Sequence, residues 1–446
     1  MQDELGDLAK FRQVPTYLTY SLGHIHLYLL LVLSSSTSLR AASRVMELVS
    51  GFFHLPLSVP SWYTGRLWLL RLGYYKLTRK KQKATDCIWI IDQTIQCGSE
   101  KCLFILWLLQ KYLPVAETIL NHEDVEPIAM FPVTSSNGQI VYEQLEQAVE
   151  YTGVPKEIIS DHGSDLKKGI EIFCQQHRQT CHIYDIKHKM AAILKRELKD
   201  DPDWNEFVKL ANETRRKVQQ TSLAALAPPN QRSKSRYMNV DKLVKWAIQV
   251  LCFLDQPNLE VNQDFDAQQI EAKLSWLAEF RPQLLQWHEM VQLVKLAESF
   301  IKFNGIYRDC HIDLMQVEGF EAYRIKTIRV REELLEFIAQ QSEQAEPNER
   351  LLGSSEVIES VIGKLKNMES IQNKSGFTGL LLSLAAIVSK TTEDVIQKAI
   401  KSVPTKRVRE WFKQNIGKSL QSSRKEVFGS LKKAEQKWDE FQMVLD

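Results

Sequence analysis

Between residues 83 and 200 the chain alternates short, wholly apolar runs with stripes of helical period. Cys87–Ile91 and Cys102–Leu109 are unbroken apolar runs, the pattern of strands covered on both faces. Further strands are predicted at Ile128–Val133, Glu157–Ser160 and Cys181–Tyr184. A helix is predicted over Gln139–Tyr151, with Ile140, Val141, Leu145 and Val149 in register and Gly153 and Pro155 as stops. Leu166, Ile170 and Phe173 mark a second helix, and Met190–Leu198 begins a third.

The predicted order is β-β-β-α-β-α-β-α. This is an α/β fold with the element order of ribonuclease-H-like domains, a mixed sheet flanked by helices. Residues 1–82 read as a helical N-terminal region. Ser38 caps a helix over Leu39–Ser50, with Leu39, Ala42, Val45, Met46 and Val49 on one face and Gly51 ending it. A second helix starts near Pro60–Ser61 and carries Leu67, Leu70 and Arg71 to a stop at Gly73. Two short helices, the second basic, predict either a DNA-reading helix-turn-helix or an ordinary helical pair. Residues 201–347 carry no strand signal and read as an all-helical insertion that interrupts the core. Residues 348–446 supply one more core helix, from about Ser355 to Asn367, then the apolar stretch Phe377–Val388 and basic helices.

Composition narrows the function classes. The chain has 446 residues, 44% of them hydrophobic, enough for roughly two to four structural units. Net charge is only +2, so bulk charge does not announce nucleic acid; the basic clusters at Arg66–Lys83 and Lys401–Lys433 do so locally. Seven scattered cysteines point to a reducing, cytoplasmic setting. Cys174, His177, Cys181 and His182 form the tightest metal-ligand grouping. A zinc site there is disfavoured, because the second pair lies in a predicted strand and its side chains face opposite sides. Leu27–Leu33 is apolar but far shorter than the roughly 20 residues of a membrane span, so a buried helix is expected.

Three acids carry the candidate chemistry. Asp92 directly follows the first strand, and Asp161 directly follows the fourth. In the expected topology these strands are neighbours, so the two carboxylates lie side by side. Such a pair repels unless a proton or cation sits between them, and hard oxygen ligands suit Mg²⁺ or Mn²⁺. A third carboxylate is expected from the helix after Ser355. Glu356 fits a first-turn acid that complements the helix dipole. Glu359 borders the apolar stripe of Ile358, Val361, Ile362 and Leu365, where an acid needs a reason, and is the preferred third member. Asp165 and Asp185 are secondary candidates, as supports of the site or as helix caps. Trp287 is expected in a helical core, with base stacking as the alternative.

On these stretches the chain resembles the DDE transposases of bacterial insertion sequences, specifically those with a helical insertion before the glutamate. The resemblance is carried by Ile91-Asp92-Gln93-Thr94-Ile95-Gln96, Ile158-Ile159-Ser160-Asp161-His162-Gly163-Ser164-Asp165-Leu166, Tyr184-Asp185-Ile186-Lys187-His188-Lys189 and Ser354-Ser355-Glu356-Val357-Ile358-Glu359-Ser360. It implies that Asp92, Asp161 and Glu359 bind two Mg²⁺ or Mn²⁺ ions for DNA nicking and strand transfer. It also implies double-stranded DNA partners (the element's terminal inverted repeats and a target), a homodimer or higher oligomer that pairs the ends, and a cytoplasmic, nucleoid-associated protein. Phosphate contacts are expected from Arg66, Arg71, Lys76, Arg79, Lys80, Lys81, Lys187, Lys189, Lys364 and Lys366. A catalytically silent DNA-binding derivative and a purely hydrolytic nuclease are the rival readings.

Overall fold

The computed structural model describes residues 14, 18–54, 58–97, 100–113, 118–231, 239–255, 267–372, 377–416 and 426–429. The chain divides into two compact units. One comprises residues 1–113, 120–182 and 355–446, and the other residues 114–119 and 183–354.

The first unit is built on a five-stranded mixed sheet of order β3-β2-β1-β4-β5. Its strands are β1 (Cys87–Cys97), β2 (Glu100–Leu109), β3 (Glu126–Val133), β4 (Glu157–Ser160) and β5 (Cys181–Tyr184). β2 runs antiparallel to both β1 and β3, whereas β4 runs parallel to β1. With the two helices that follow β3 and β4, this is the ribonuclease-H-like α/β fold expected from the pattern.

One face of the sheet is covered by α4 (Gly138–Thr152) and α5 (Ser164–Gln176). Val141, Leu145 and Ala148 meet Leu166, Ile170 and Phe173 over Cys87, Trp89, Ile91, Leu103, Ile105 and Ile158. Side chains alternate along a strand, so Ile88 and Ile90, both buried, belong to the opposite face.

The N-terminal helices belong to this unit. They are α1 (Leu22–Leu33), α2 (Leu39–Phe52) and α3 (Trp62–Thr78). Ser38 caps α2 as predicted, accepting from Ala41 N–H, and Ser61 caps α3, accepting from Thr64 N–H. The apolar run of α1 is buried through Ile25, Tyr28, Leu29 and Val32. No helix among the described residues is long and apolar enough to cross a membrane. α3 does not stop at Gly73 but runs through it to Thr78. That glycine is a point of close approach: a Cβ there would fall on the Leu382 carbonyl oxygen. Gly65 plays the same part against the Tyr28 ring.

α3 is buried on most sides, against α2, β3, α14 (Ser383–Ile387) and α15 (Glu393–Ser402). It is therefore a central helix of the unit. The helix-turn-helix alternative, which needs this second helix exposed in a groove, is corrected here. The unit also contains α13 (Glu356–Ser370) and α16 (Thr405–Asn415).

Among its described residues, the regular structure of the second unit is helical apart from the end of β5 and an isolated bridge between Ile306 and Leu351. It contains α6 (Ile186–Leu198), α7 (Pro202–Val218), α8 (Val240–Leu254), α9 (Ala267–Leu274), α10 (Arg281–Asn304), α11 (Cys310–Met315) and α12 (Ile325–Ser342). It begins at Ile183 and so takes in α6, which the sequence pattern assigns to the core. Trp204, Phe207, Trp276, Phe280 and Trp287 form an aromatic cluster. Trp287 is 1% exposed, which places it in the core, not on a stacking surface.

Candidate active site

β1 and β4 bring the two aspartates together at the level of the backbone. Their parallel register pairs Trp89 with Ile158, Ile90 with Ile159 and Ile91 with Ser160. Asp92 and Asp161 are the next residues on each strand. Trp89 and Ile158 both face the α4–α5 core, so alternation sends Ile90, Ile159 and the two aspartates to the opposite face. α13 packs on β1, and none of its residues belongs to the α4–α5 core. It therefore approaches from the face that Asp92 and Asp161 share.

The strand β1 is longer than its apolar run. It continues past Asp92 to Cys97, paired with β2, and its register shifts between Asp92 and Ile95. Asp92 thus stands not at a strand end but at an irregularity, where pairing with β4 stops and pairing with β2 resumes out of step. Bulges of this kind re-aim a side chain. Asp92 is buried at 8% exposure, whereas Asp161 is half-buried. The Asp161 carboxylate accepts the Gly163 N–H at 3.2 Å, a turn that lifts it off the sheet.

Two histidines lie beside this turn. The Ser160 hydroxyl donates to the Asp161 carbonyl at 2.8 Å and lies 2.9 Å from His182 Nε2. With its proton so placed, the hydroxyl accepts from the imidazole. The His182 and His162 rings stack at 5.1 Å. Burial, then the neighbouring His162 and Lys167, push His182 down to about 3, so it is neutral at physiological pH. No spacing in the sequence pointed to the Ser160–His182 contact.

Glu359 is half-buried on α13, whereas Glu356 is exposed. Among the described residues, no three His, Cys, Asp or Glu side chains are gathered closely enough to share a metal ion. The backbone thus pairs two carboxylates and brings the glutamate helix to the same face, without closing a three-ligand set. Asp165 pairs with Lys101 at 3.0 Å. Asp185 caps α6 by accepting His188 N–H at 2.9 Å. In the cysteine–histidine grouping, His177 lies 2.8 Å from Glu146.

Most of the predicted phosphate-binding cations have other work. Arg66 donates to the Gly379 carbonyl at 2.6 Å. Arg71 donates to the Val403 carbonyl at 2.6 Å and also to Ile400. Both carbonyls belong to the C-terminal turn of α15, a favourable place for a cation. Lys76 is fully buried, and its ammonium lies 2.7–3.1 Å from the carbonyls of Ala386, Val388 and Ser389 and 2.8 Å from the Thr391 hydroxyl. Arg79 and Lys81 both grip Glu126. Lys189 pairs with Glu333 at 2.9 Å. Lys76 therefore has no access to DNA, and Arg66, Arg71, Arg79, Lys81 and Lys189 are tied to intramolecular acceptors. Lys80 and Lys366 are exposed, and Lys187 and Lys364 are half-buried.

No protein-family model matches the chain, and no curated protein matches it. Among solved structures it is similar to one described as the Drosophila P element transposase strand transfer complex. That likeness has a TM-score of 0.43 and 11% identity, over 88% of this chain and 99% of the other. A likeness of this size bears on neither family nor function.

Proposed function

We propose that the protein is a DDE-type transposase, a metal-dependent polynucleotidyl transferase that nicks DNA at element ends and joins the freed 3′-hydroxyl to a target. The observation that carries this reading is the placement of Asp92 and Asp161, each one residue beyond the pair Ile91–Ser160 on adjacent parallel strands and on one face. Glu359 is the proposed third carboxylate, because its helix packs on β1 and the side chain is half-buried. The donor set is all hard oxygen, which fits Mg²⁺ or Mn²⁺. Asp92, Asp161 and Glu359 would hold the metal.

Bound there, two such ions would activate the attacking water or 3′-hydroxyl and stabilise the leaving oxygen. The chain's own residues have separate tasks. The Gly163 N–H orients the Asp161 carboxylate, and the neutral His182 holds the Ser160 hydroxyl that donates to the Asp161 backbone carbonyl. The bacterial insertion-sequence origin, the terminal-repeat and target DNA partners, and assembly of a dimer or higher oligomer rest on the motifs quoted from the sequence.

The test is a nicking and strand-transfer assay with Mg²⁺ or Mn²⁺, on duplex DNA carrying the sequences that flank the gene. Wild type is compared with Asp92→Asn, Asp161→Asn and Glu359→Gln. Metal-dependent nicking and joining, lost in all three variants, is the expected result. Nicking without joining would favour a hydrolytic nuclease. End binding without cleavage by wild type would favour a silent, transposase-derived binding protein.

A further inference from the structure

A groove of about 830 Å³ lies along the edge strand β3. It extends from the segment 77–83, which leads into β1, to the level of Asp92, since Met130 of β3 and Asp92 of β1 both pair with Phe104 of β2. Its floor is Ile128–Phe131 of the edge strand β3. Its walls are residues 77–83, the last turns of α4, and Trp411 and Asn415 of α16.

Both the charge and the apolar surface of this groove are available. Arg79 and Lys81 share the one carboxylate of Glu126. Lys80 and Lys83 are exposed, and among the described residues neither has a carboxylate partner; Glu150 is the exposed counter-charge in the lining. The adjoining helix α16 exposes Lys406, Arg407, Arg409 and Lys413 against a single acid, Glu410. Tyr151 is 40% exposed, and Phe131 and Trp411 are half-buried, so three aromatic side chains line the same opening. The tract Arg79-Lys80-Lys81-Gln82-Lys83 contains no glycine. It lacks the backbone cradle with which enclosed nucleotide sites grip a phosphate, and side-chain cations must serve instead.

We propose that this groove binds a short stretch of single-stranded nucleic acid, with unpaired bases stacked on Trp411 and Tyr151 and phosphates facing Lys80 and Lys83. Aromatic platforms beside exposed cations suit unpaired bases, whose faces are hidden in a duplex. Pockets for drug-sized ligands run to about 300–1,000 Å³, so a groove of this volume accepts more than one base. The inference does not depend on the carboxylate site: the groove is lined by none of Asp92, Asp161 and Glu359, and binding here needs no metal.

The test is fluorescence anisotropy of the full-length protein with a labelled oligodeoxythymidine of about 15 nucleotides, in EDTA so that no cleavage intrudes. The expected result is binding weakened about tenfold by the double variant Lys80→Glu/Lys83→Glu, with a shallower salt dependence. Trp411→Leu is expected to weaken it about tenfold as well, and Trp411→Phe to restore it. Leu keeps apolar bulk against the sheet, so it separates stacking from packing, and thermal melts of each variant verify the fold. Wild-type affinity in both the lysine and the leucine variants would overturn the proposal. So would no binding of the strand by wild type, or a duplex bound more tightly than the strand with Trp411→Leu unaffected. Loss of strand transfer in Asp92→Asn with groove binding intact would leave this inference standing whatever becomes of the catalytic reading.

Discussion

Asp92 and Asp161 occupy equivalent positions on two neighbouring parallel strands, each directly after the last paired residues, Ile91 and Ser160. Two carboxylates so placed repel, and a divalent cation between them relieves the repulsion. Mg²⁺ or Mn²⁺ is therefore expected to raise the melting temperature of the wild type. At a hundredfold excess over Kd the gain is about 2.7 kcal/mol. Asp92→Asn and Asp161→Asn are expected to abolish the metal-dependent shift. Differential scanning fluorimetry with and without metal is the check. An undiminished shift in both variants would place the ion elsewhere.

Glu126 joins the two cations that the sequence offers to DNA. Arg79 binds one of its oxygens and Lys81 the other, the latter at 2.9 Å. Burial pushes its carboxyl up, but the Arg79 hydrogen bond and the Lys81 charge outweigh it, and the net direction is down from 4.5. A depressed folded value means that the contribution is fully present above pH 4.5 and is lost as pH falls through the folded value. Glu126→Gln is expected to cost about 2 kcal/mol at neutral pH, since it leaves the Lys81 ammonium, 5% exposed, without its counter-ion. Urea denaturation at pH 7 and well below pH 4.5 checks the sign: the gap between wild type and variant narrows in acid.

What was legible in the chain was local. Glu157–Ser160 and Cys181–Tyr184 fold as strands over the residues predicted, because a short apolar run between turn residues has few other uses. The position of Asp161 just past β4 follows from that boundary. Asp92 was expected at a strand end as well; the apolar run does end at Ile91, but the strand goes on to Cys97 through a bulge. Hydrophobicity marks burial, whereas hydrogen bonding to β2 sets the strand's length. The basic residues of α3 misled because their acceptors lie some 300 positions away, at Gly379, Ala386 and Ile400. A cation that caps a distant carbonyl and one that awaits phosphate look alike in sequence.

Lys76 shows what that cost. Four oxygens around its ammonium favour the charged form, yet burial, with the Arg79 cation adding to it, pushes the group down to about 7. Between about pH 7 and 10.5 the unfolded chain holds a proton that the folded chain has released, so stability rises with pH across that window. Lys81, pushed down mainly by burial to about 8, adds to the rise higher up. Lys76→Met removes the donor to three carbonyls and is expected to cost about 2–3 kcal/mol at pH 7. It also flattens the rise between pH 7 and 8. Chemical denaturation over that interval is the measurement. An unchanged rise in the variant would assign it to another group.

Gly73 and Gly363 look alike in sequence, each a glycine inside a helix, where replacement by alanine ordinarily gains about 1 kcal/mol. Their surroundings reverse the sign at one of them. Gly363 is exposed on α13, and a Cβ there would meet nothing within 4 Å, so Gly363→Ala is expected to stabilise by that amount. At Gly73 a Cβ meets the Leu382 backbone carbonyl, an atom that cannot rotate aside. Relieving the clash means separating α3 from the 382–386 segment, at a cost of about 1–3 kcal/mol beyond the propensity gain. Gly73→Ala is thus expected to lower the melting temperature and Gly363→Ala to raise it, in parallel thermal melts. A rise in both would mean that α3 does not pack against Leu382 in solution.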